Sequence, residues 1–482
     1  MHIRRVFLLI GLLVLFLGLS MSLPLLVSLI YQDSSTRPLL LSIGICCGLG
    51  LSIFLLSRGE EVTHLSHRDG VAIVTLGWLA AGLAGAFPFL LSGALDSFTD
   101  AYFESLSGFT TTGATILSDI ERLPPGILMW RSVTQWLGGM GIIVLSIAIL
   151  PFLGIGGMQL YKAEIPSPVV DKLKPRISDT AKTLWRVYIL ITVLQIALLL
   201  AGGMSAFDAV CHSFCTMPTG GFSPKNASVA HYNSPYFDTV FVVFMLLAGI
   251  NFSLHYRFLR GDASIFAKDP ECRLFLCFVG VVIVLVTVDV YGSVYASLGS
   301  SFRYAAFQVS SIITTTGFVT ADYDQWPSFS RNLLLLCMFL GAMAGSTGGG
   351  MKTMRIMLLA KHAYQEIFRI IHPHAVTTVK LGGKTVPSDI LSSIWGFLFL
   401  YLGIFVVSTM LMAALGLDVI SACSSVAACI FNVGPGLGLV GPAQNYLHVP
   451  FLGKWVLIFC MLLGRLEIYT VIVLLMPEYW RK

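Results

Sequence analysis

Charge is what this chain has least of. Only 11% of its 482 residues are Asp, Glu, Lys or Arg, against about 25% in soluble proteins, which excludes a surface wetted on all sides. Catalytic and metal-binding furniture is missing too. There is no C-x-x-C, Cys211, His212 and Cys215 lack a second ligand cluster, and no acid–base pair sits in the apolar runs. An integral-membrane enzyme is left without machinery. The ten cysteines, Cys46, Cys47, Cys337 and Cys460 among them, read as buried free thiols. No stretch alternates polar and apolar residues like the strands of a membrane barrel. The first apolar run, Val6 to Ile30, has no A-x-A site and is longer than a signal-peptide core, so it reads as an uncleaved anchor.

What is abundant is hydrophobicity, at 56% of residues with a mean hydropathy of +0.83. Apolar runs near the roughly 20 residues that cross a bilayer recur along the chain. Ten spans are predicted, over 6–30, 38–57, 70–93, 126–155, 184–204, 235–259, 272–298, 330–358, 389–415 and 450–476. The fold class expected is an all-α integral membrane protein. With Met1 inside, 21 Lys and Arg fall on the cytoplasmic side and seven outside, which satisfies the positive-inside rule. The net charge of +5 therefore reports topology, and nucleic acid is a poor partner for it; the partner it implies is the lipid bilayer.

A short Thr/Gly-rich turn occurs four times. The segments are TTTGAT from Thr110, PTGGFS from Pro218, TTTGFV from Thr314 and FNVGPGLG from Phe431. Their glycines, Gly113, Gly221, Gly317 and Gly434, are 108, 96 and 117 residues apart. Before each lies a segment too short to cross: Leu95 to Phe109, Ser205 to Met217, Ser300 to Ile313 and Leu417 to Ile430. About 15 residues at 1.5 Å each reach about 22 Å, short of the ~30 Å hydrocarbon core. The pattern predicts two leading helices (1–69) and four units of span, re-entrant half-helix and span, over 70–180, 181–271, 272–388 and 389–482. The units surround a central pore in pseudo-fourfold fashion. All four turns fall on the outer side. The basic connectors Tyr161 to Trp185 and Lys361 to Pro387, the second with His362, His372 and His374, read as cytoplasmic elbows.

Such turns suit a bare alkali cation. Carbonyl oxygens replace its water without formal charge, and backbone that points them at one axis is easiest for glycine. Half-helix C-termini add partial negative charge. The predicted cation-binding residues are Thr111, Thr112 and Gly113; Thr219, Gly220 and Gly221; Thr315, Thr316 and Gly317; and Asn432, Val433 and Gly434.

The stretches SGFTTTGAT from Ser107, PTGGFS, SSIITTTGF and NVGPGLG resemble, in that order, the pore loops of the Trk/Ktr/HKT potassium-uptake superfamily. MLLGRLEIYTV from Met461 and AGSTGGGMKTMRI from Ala344 resemble its TrkH-type membrane subunit. The resemblance covers the whole chain. It implies a multi-pass, channel-like K+ uptake subunit of the bacterial inner membrane, with its N-terminus cytoplasmic. It also implies a homodimer controlled by a TrkA-type cytosolic nucleotide-binding ring. K+ is the permeant ion implied, since all four filter positions are glycine, and Rb+ should substitute. Because the second and fourth loops depart from Thr-Thr-Gly, discrimination against Na+ should be less sharp than in a symmetric filter.

Two further features bear on gating. Arg465 lies midway along an apolar run, where a cation costs about 2.5–3.5 kcal/mol on insertion scales. It is either a barrier to the permeating ion, the role the resemblance implies, or a structural partner of carbonyl oxygens or Glu467. Glu467, two residues on, faces another side of a helix. The glycines of GAMAGSTGGG, from Gly341, predict local unwinding. The resemblance makes Gly345, Ser346, Thr347, Gly348, Gly349 and Gly350 an intramembrane gating loop. Its near-match to a phosphate loop is rejected, because Met351 interrupts it and no strand precedes it. Lys352 and Arg355 follow at the cytoplasmic mouth, as partner contacts or as helix anchors. Asp96, Asp100 and Glu104 either concentrate cations in an outer vestibule or serve as helix-start acids. Trp78, Trp130, Trp326 and Trp455 suit interfacial belts or packing. The competing function is a secondary transporter coupling K+ to H+ or Na+, although repeats that are parallel rather than inverted argue against it.

Overall fold

The computed structural model describes residues 2–58, 66–148, 177–375, 377–382 and 384–481. The end of the predicted span 126–155 and most of the connector that begins at Tyr161 lie outside the described residues.

Among the described residues, six helices are long and apolar enough to cross a membrane: Ile3–Tyr31, Thr36–Ser57, Arg68–Leu91, Thr180–Ala201, Pro270–Val290 and Ser388–Ala414. Of the other four expected spans, three are interrupted. Pro125–Ala148 runs to the edge of the described residues. Pro235–Gly249 and Phe252–Leu259 meet at 103°. Ser328–Phe339 is parted from Thr353–Ile371 by the glycine-rich stretch, and Phe451–Arg465 from Tyr469–Leu475 by a short break. The three interrupted ones are each the second span of a predicted unit. A two-strand hairpin, Lys380–Leu381 with Lys384–Thr385, tightens the second basic connector, where the sequence reading expects no strand.

The leading helices meet through small residues. A Cβ added at Gly50 would lie 2.6 Å from the backbone nitrogen of Leu15, and one at Gly11 would lie 2.9 Å from the Gly50 carbonyl oxygen. Close backbone approach of this kind drives helix association where lipid supplies no hydrophobic effect.

Four short helices sit in the middle of the bundle: Phe98–Phe109, Ala206–Thr216, Leu298–Ile313 and Val419–Ile430. They match the predicted half-helices. The last three are started by side-chain caps, with Ser205 accepting from the Asp208 amide, Ser297 from that of Ser300, and Asp418 from those of Ile420 and Ser421. Their C-terminal halves are almost wholly buried, while the long helices turn Leu, Ile, Val and Phe outward. That arrangement suits a lipid exterior around a protein-lined centre.

Candidate functional site

Each short helix ends in the same backbone gesture. Its last turn gives way to a residue in the left-handed region, at Thr111 (φ 53°), Thr219 (φ 59°), Thr315 (φ 57°) and Asn432 (φ 54°). Two residues on, Gly113, Gly221, Gly317 and Gly434 are left-handed again, at φ 78°, 77°, 82° and 96°. The amide between them turns back onto the helix in every copy. Thr112 donates to Ser107 O, Gly220 to Cys215 O, Thr316 to Ser311 O and Val433 to Ala428 O, all at 2.8–2.9 Å. The N–H groups are thus used up locally, and carbonyl oxygens are what the turns present.

These oxygens close a ring. A Cβ added at Gly113 would meet the Gly220 carbonyl oxygen at 2.0 Å, and one at Gly221 would meet that of Thr316 at 2.0 Å. One at Gly317 would meet that of Val433 at 2.1 Å, and one at Gly434 that of Thr112 at 2.6 Å. Each glycine abuts the oxygen of the residue before the next glycine, and the fourth loop returns to the first. Real side chains do not tolerate such distances, so both the handedness and the crowding demand glycine. All twelve predicted loop residues are brought together here.

The glycine-rich segment lies directly against these loops. Thr347 Oγ1 donates to the Met217 carbonyl at 2.9 Å and the Ala248 carbonyl at 3.2 Å. The Gly349 amide donates to Thr315 Oγ1 at 2.7 Å. Lys352 Nζ donates to the Gly348 carbonyl. A Cβ at Gly349 would lie 2.5 Å from the Phe431 carbonyl oxygen. Gly345 and Gly350 are left-handed, Ser346 Oγ donates to the Met343 carbonyl, and a Cβ at Gly345 would meet Asn251, at the bend of the second unit. Arg465 is buried beside this segment, with Nη1 on the Thr347 carbonyl at 2.7 Å and Nη2 on the Gly138 carbonyl at 3.4 Å. Glu467 instead pairs with Arg355 at 2.7 Å. Arg355 is therefore a buried anchor, and of the two readings offered for it this is the one its position supports.

A family profile described as TrkH, cation transport protein, matches residues 44–482. The chain belongs to the TrkH family. It is 44% identical, over the full length of both chains, to the Trk system potassium uptake protein TrkH of Escherichia coli K12. It is 37% identical to the E. coli protein TrkG over 100% of this chain and 99% of that one. The crystal structure of the potassium transporter TrkH from Vibrio parahaemolyticus superposes with a TM-score of 0.92 at 41% identity, covering both chains completely. As a TrkH-family member the chain is a multi-pass transport protein rather than an enzyme.

The vestibule reading of two acids needs correction. Glu104 is fully buried, and its carboxylate accepts from Arg131 Nε at 2.9 Å, from the Thr115 hydroxyl and from the Ile116 amide. It is neutralised in place and cannot focus a field. Asp100 is bound by Lys454 at 2.6 Å. Asp96 stays exposed. Trp130 and Trp326 are buried and pack, whereas Trp455 keeps 36% of its surface exposed.

Sequence reasoning missed the residues that brace the TrkH-family loops from behind. Arg131 reaches across to the Ser223 carbonyl at 3.1 Å and lies over the Phe222 ring at 4.1 Å. Gln135 touches Gly220 and Phe222. The Tyr446 hydroxyl donates to the Gly434 carbonyl at 2.7 Å. Arg131 and Gln135 carried a signal, because polar residues inside a spanning run are functional candidates by default.

Proposed function

We propose that this chain is the membrane subunit of a bacterial potassium uptake system, and that K+ crosses it through a pore lined by the four Gly turns. The closed cycle of carbonyl oxygens and glycines is the observation that carries the reading. It supports a common axis, with Thr112, Gly220, Thr316 and Val433 as one ring of donors and the neighbouring loop residues extending it. Four units of span, half-helix and span, preceded by two leading helices, are the frame around that axis.

In this reading the segment Gly345 to Gly350 is the gate, held shut beneath the filter by its bonds to Met217 and Thr315. Arg465 adds a positive charge at the same level. The barrier role and its carbonyl contacts are compatible, since the side chain that latches the loop also repels the ion. The family resemblance supports a homodimer in the inner membrane, with the N-terminus cytoplasmic. It also supports control by a TrkA-type cytosolic nucleotide-binding ring.

The test is flux. The purified full-length protein in liposomes should take up Rb+ down its own gradient, and faster than Na+. Accumulation that requires an imposed proton or sodium gradient would replace the pore by a coupled transporter.

A further inference from the structure

The second loop differs from its neighbours in one respect that its sequence alone does not explain. Where the first and third loops carry Thr112 and Thr316, it carries Gly220. Gly220 is not among the left-handed residues, so its backbone does not demand glycine. What demands it is a side chain. A Cβ at Gly220 would fall 2.4 Å from Cδ and Oε1 of Gln135 and 2.8 Å from its Nε2.

Gln135 comes from the helix Pro125–Ala148, in the preceding unit, and is fully buried. Its Nε2 donates to the Gly220 carbonyl at 2.7 Å, and its Oε1 accepts from the Phe222 amide at 3.1 Å. The carboxamide thus reads the loop as a neighbouring peptide strand would, with one donor and one acceptor in fixed register. In the first and third loops the bracing is of another kind, a hydroxyl pair at 2.8 Å between Thr110 and Thr112 and between Thr314 and Thr316.

We infer that Gln135 is a selectivity-determining positioning residue, which clamps the second loop and weakens one oxygen of the ring. The inference rests on the pore reading above. The Gly220 carbonyl oxygen is the one that abuts Gly113, so it is a ring oxygen already engaged by an amide donor. A carbonyl that shares a lone pair with N–H offers a passing cation a weaker field. Weaker oxygens favour the larger, more easily dehydrated ion, and a fixed loop cannot contract around the smaller one. Both effects act against Na+.

Two independent routes remove the clamp. Gln135→Met keeps the volume and deletes the amide. Gly220→Ala inserts a methyl where the carboxamide sits and evicts it. The readout is the ratio of Rb+ to Na+ uptake into liposomes holding the full-length protein, which does not depend on how much protein is folded or open. A thermal unfolding midpoint is recorded for each variant alongside. Both variants should lower the ratio several-fold, and the double variant should lie within about twofold of either, because contacting residues that act through one bond are not additive. Gln135→Glu, which keeps the acceptor for Phe222 but loses the donor to Gly220, should lower it as well. A wild-type preference for Rb+ that persists unchanged in all three single variants overturns the role of Gln135. A wild-type ratio near one likewise overturns that role, whereas a wild type that takes up no Rb+ down its own gradient overturns the pore reading beneath it.

Discussion

The guanidinium of Arg465 donates to the Thr347 carbonyl at 2.7 Å, joining the last interrupted helix to the middle of the glycine-rich segment. The backbone just beyond it is strained. Glu467 has φ 57° and Ile468 φ 26°, the latter a β-branched residue in a region such side chains avoid. The salt bridge from Glu467 to Arg355 spans that strained turn. Arg465 is thus presented from a distorted backbone held by an ion pair of its own.

Arg465→Ala should raise basal Rb+ flux in liposomes about tenfold, the equivalent of ~1.4 kcal/mol off the barrier. Two contributions have the same sign, since the variant removes a cation near the ion path and a bond that holds the segment in place. Arg465→Lys keeps the charge and should stay close to wild type. Equal or lower flux from the alanine variant, at normal expression, would discard the barrier.

Gly113→Ser places a Cβ on a left-handed residue and aims it at the Gly220 carbonyl oxygen, 2.0 Å away. The two loops must separate to admit it. The ring then widens on one side, water is replaced less completely there, and the uptake ratio should shift toward Na+. The strain alone should cost about 1–3 kcal/mol, visible as a lower unfolding temperature in detergent. An unchanged ratio would mean that Gly113 does not line the path.

How much of this was legible in the sequence depends on how local each constraint is. The four turns were readable because handedness and crowding leave only glycine at Gly113, Gly221, Gly317 and Gly434. The short helices were readable from length. The interruption at 340–352 was signalled by its glycines, but the 103° bend before Phe252 was not, because Asn251 and the Gly345 carbonyl, which accepts from the Phe252 amide, meet only in three dimensions. Glu104 was misplaced for the same reason. Its neighbours in sequence suggest an outward-facing acid, and its partner Arg131 stands 27 residues away in another helix.

That buried pair yields a stability prediction. Glu104 and Arg131 are 0% and 2% exposed, and together they tie Thr115 and Ile116 of the first loop to Ser223 of the second. Removing one partner leaves a charge without water or counter-ion. Glu104→Gln or Arg131→Met should each destabilise by ~3–5 kcal/mol. Replacing both together should recover part of the loss, as followed by thermal unfolding in detergent. A double variant as unstable as the sum of the singles would show that the two do not act as a pair.

Thr347→Val addresses the gate with little change of shape. The variant keeps the β-branched outline and deletes the hydroxyl that donates to the Met217 and Ala248 carbonyls. Its backbone carbonyl still accepts from Arg465. The segment therefore keeps one latch and loses another, at a net cost of about 1 kcal/mol for a hydrogen bond of this kind, or roughly fivefold in the population released. Rb+ flux without any cytosolic partner should rise by that order. Shortening Gly345 to Gly350 should go further and make flux less responsive to the partner. If Thr347→Val folds normally and its partner-independent flux equals wild type, the segment's bonds to the second unit do not restrain conduction, and the gate must be sought in the contact between Gly349 and Thr315 or elsewhere along the axis.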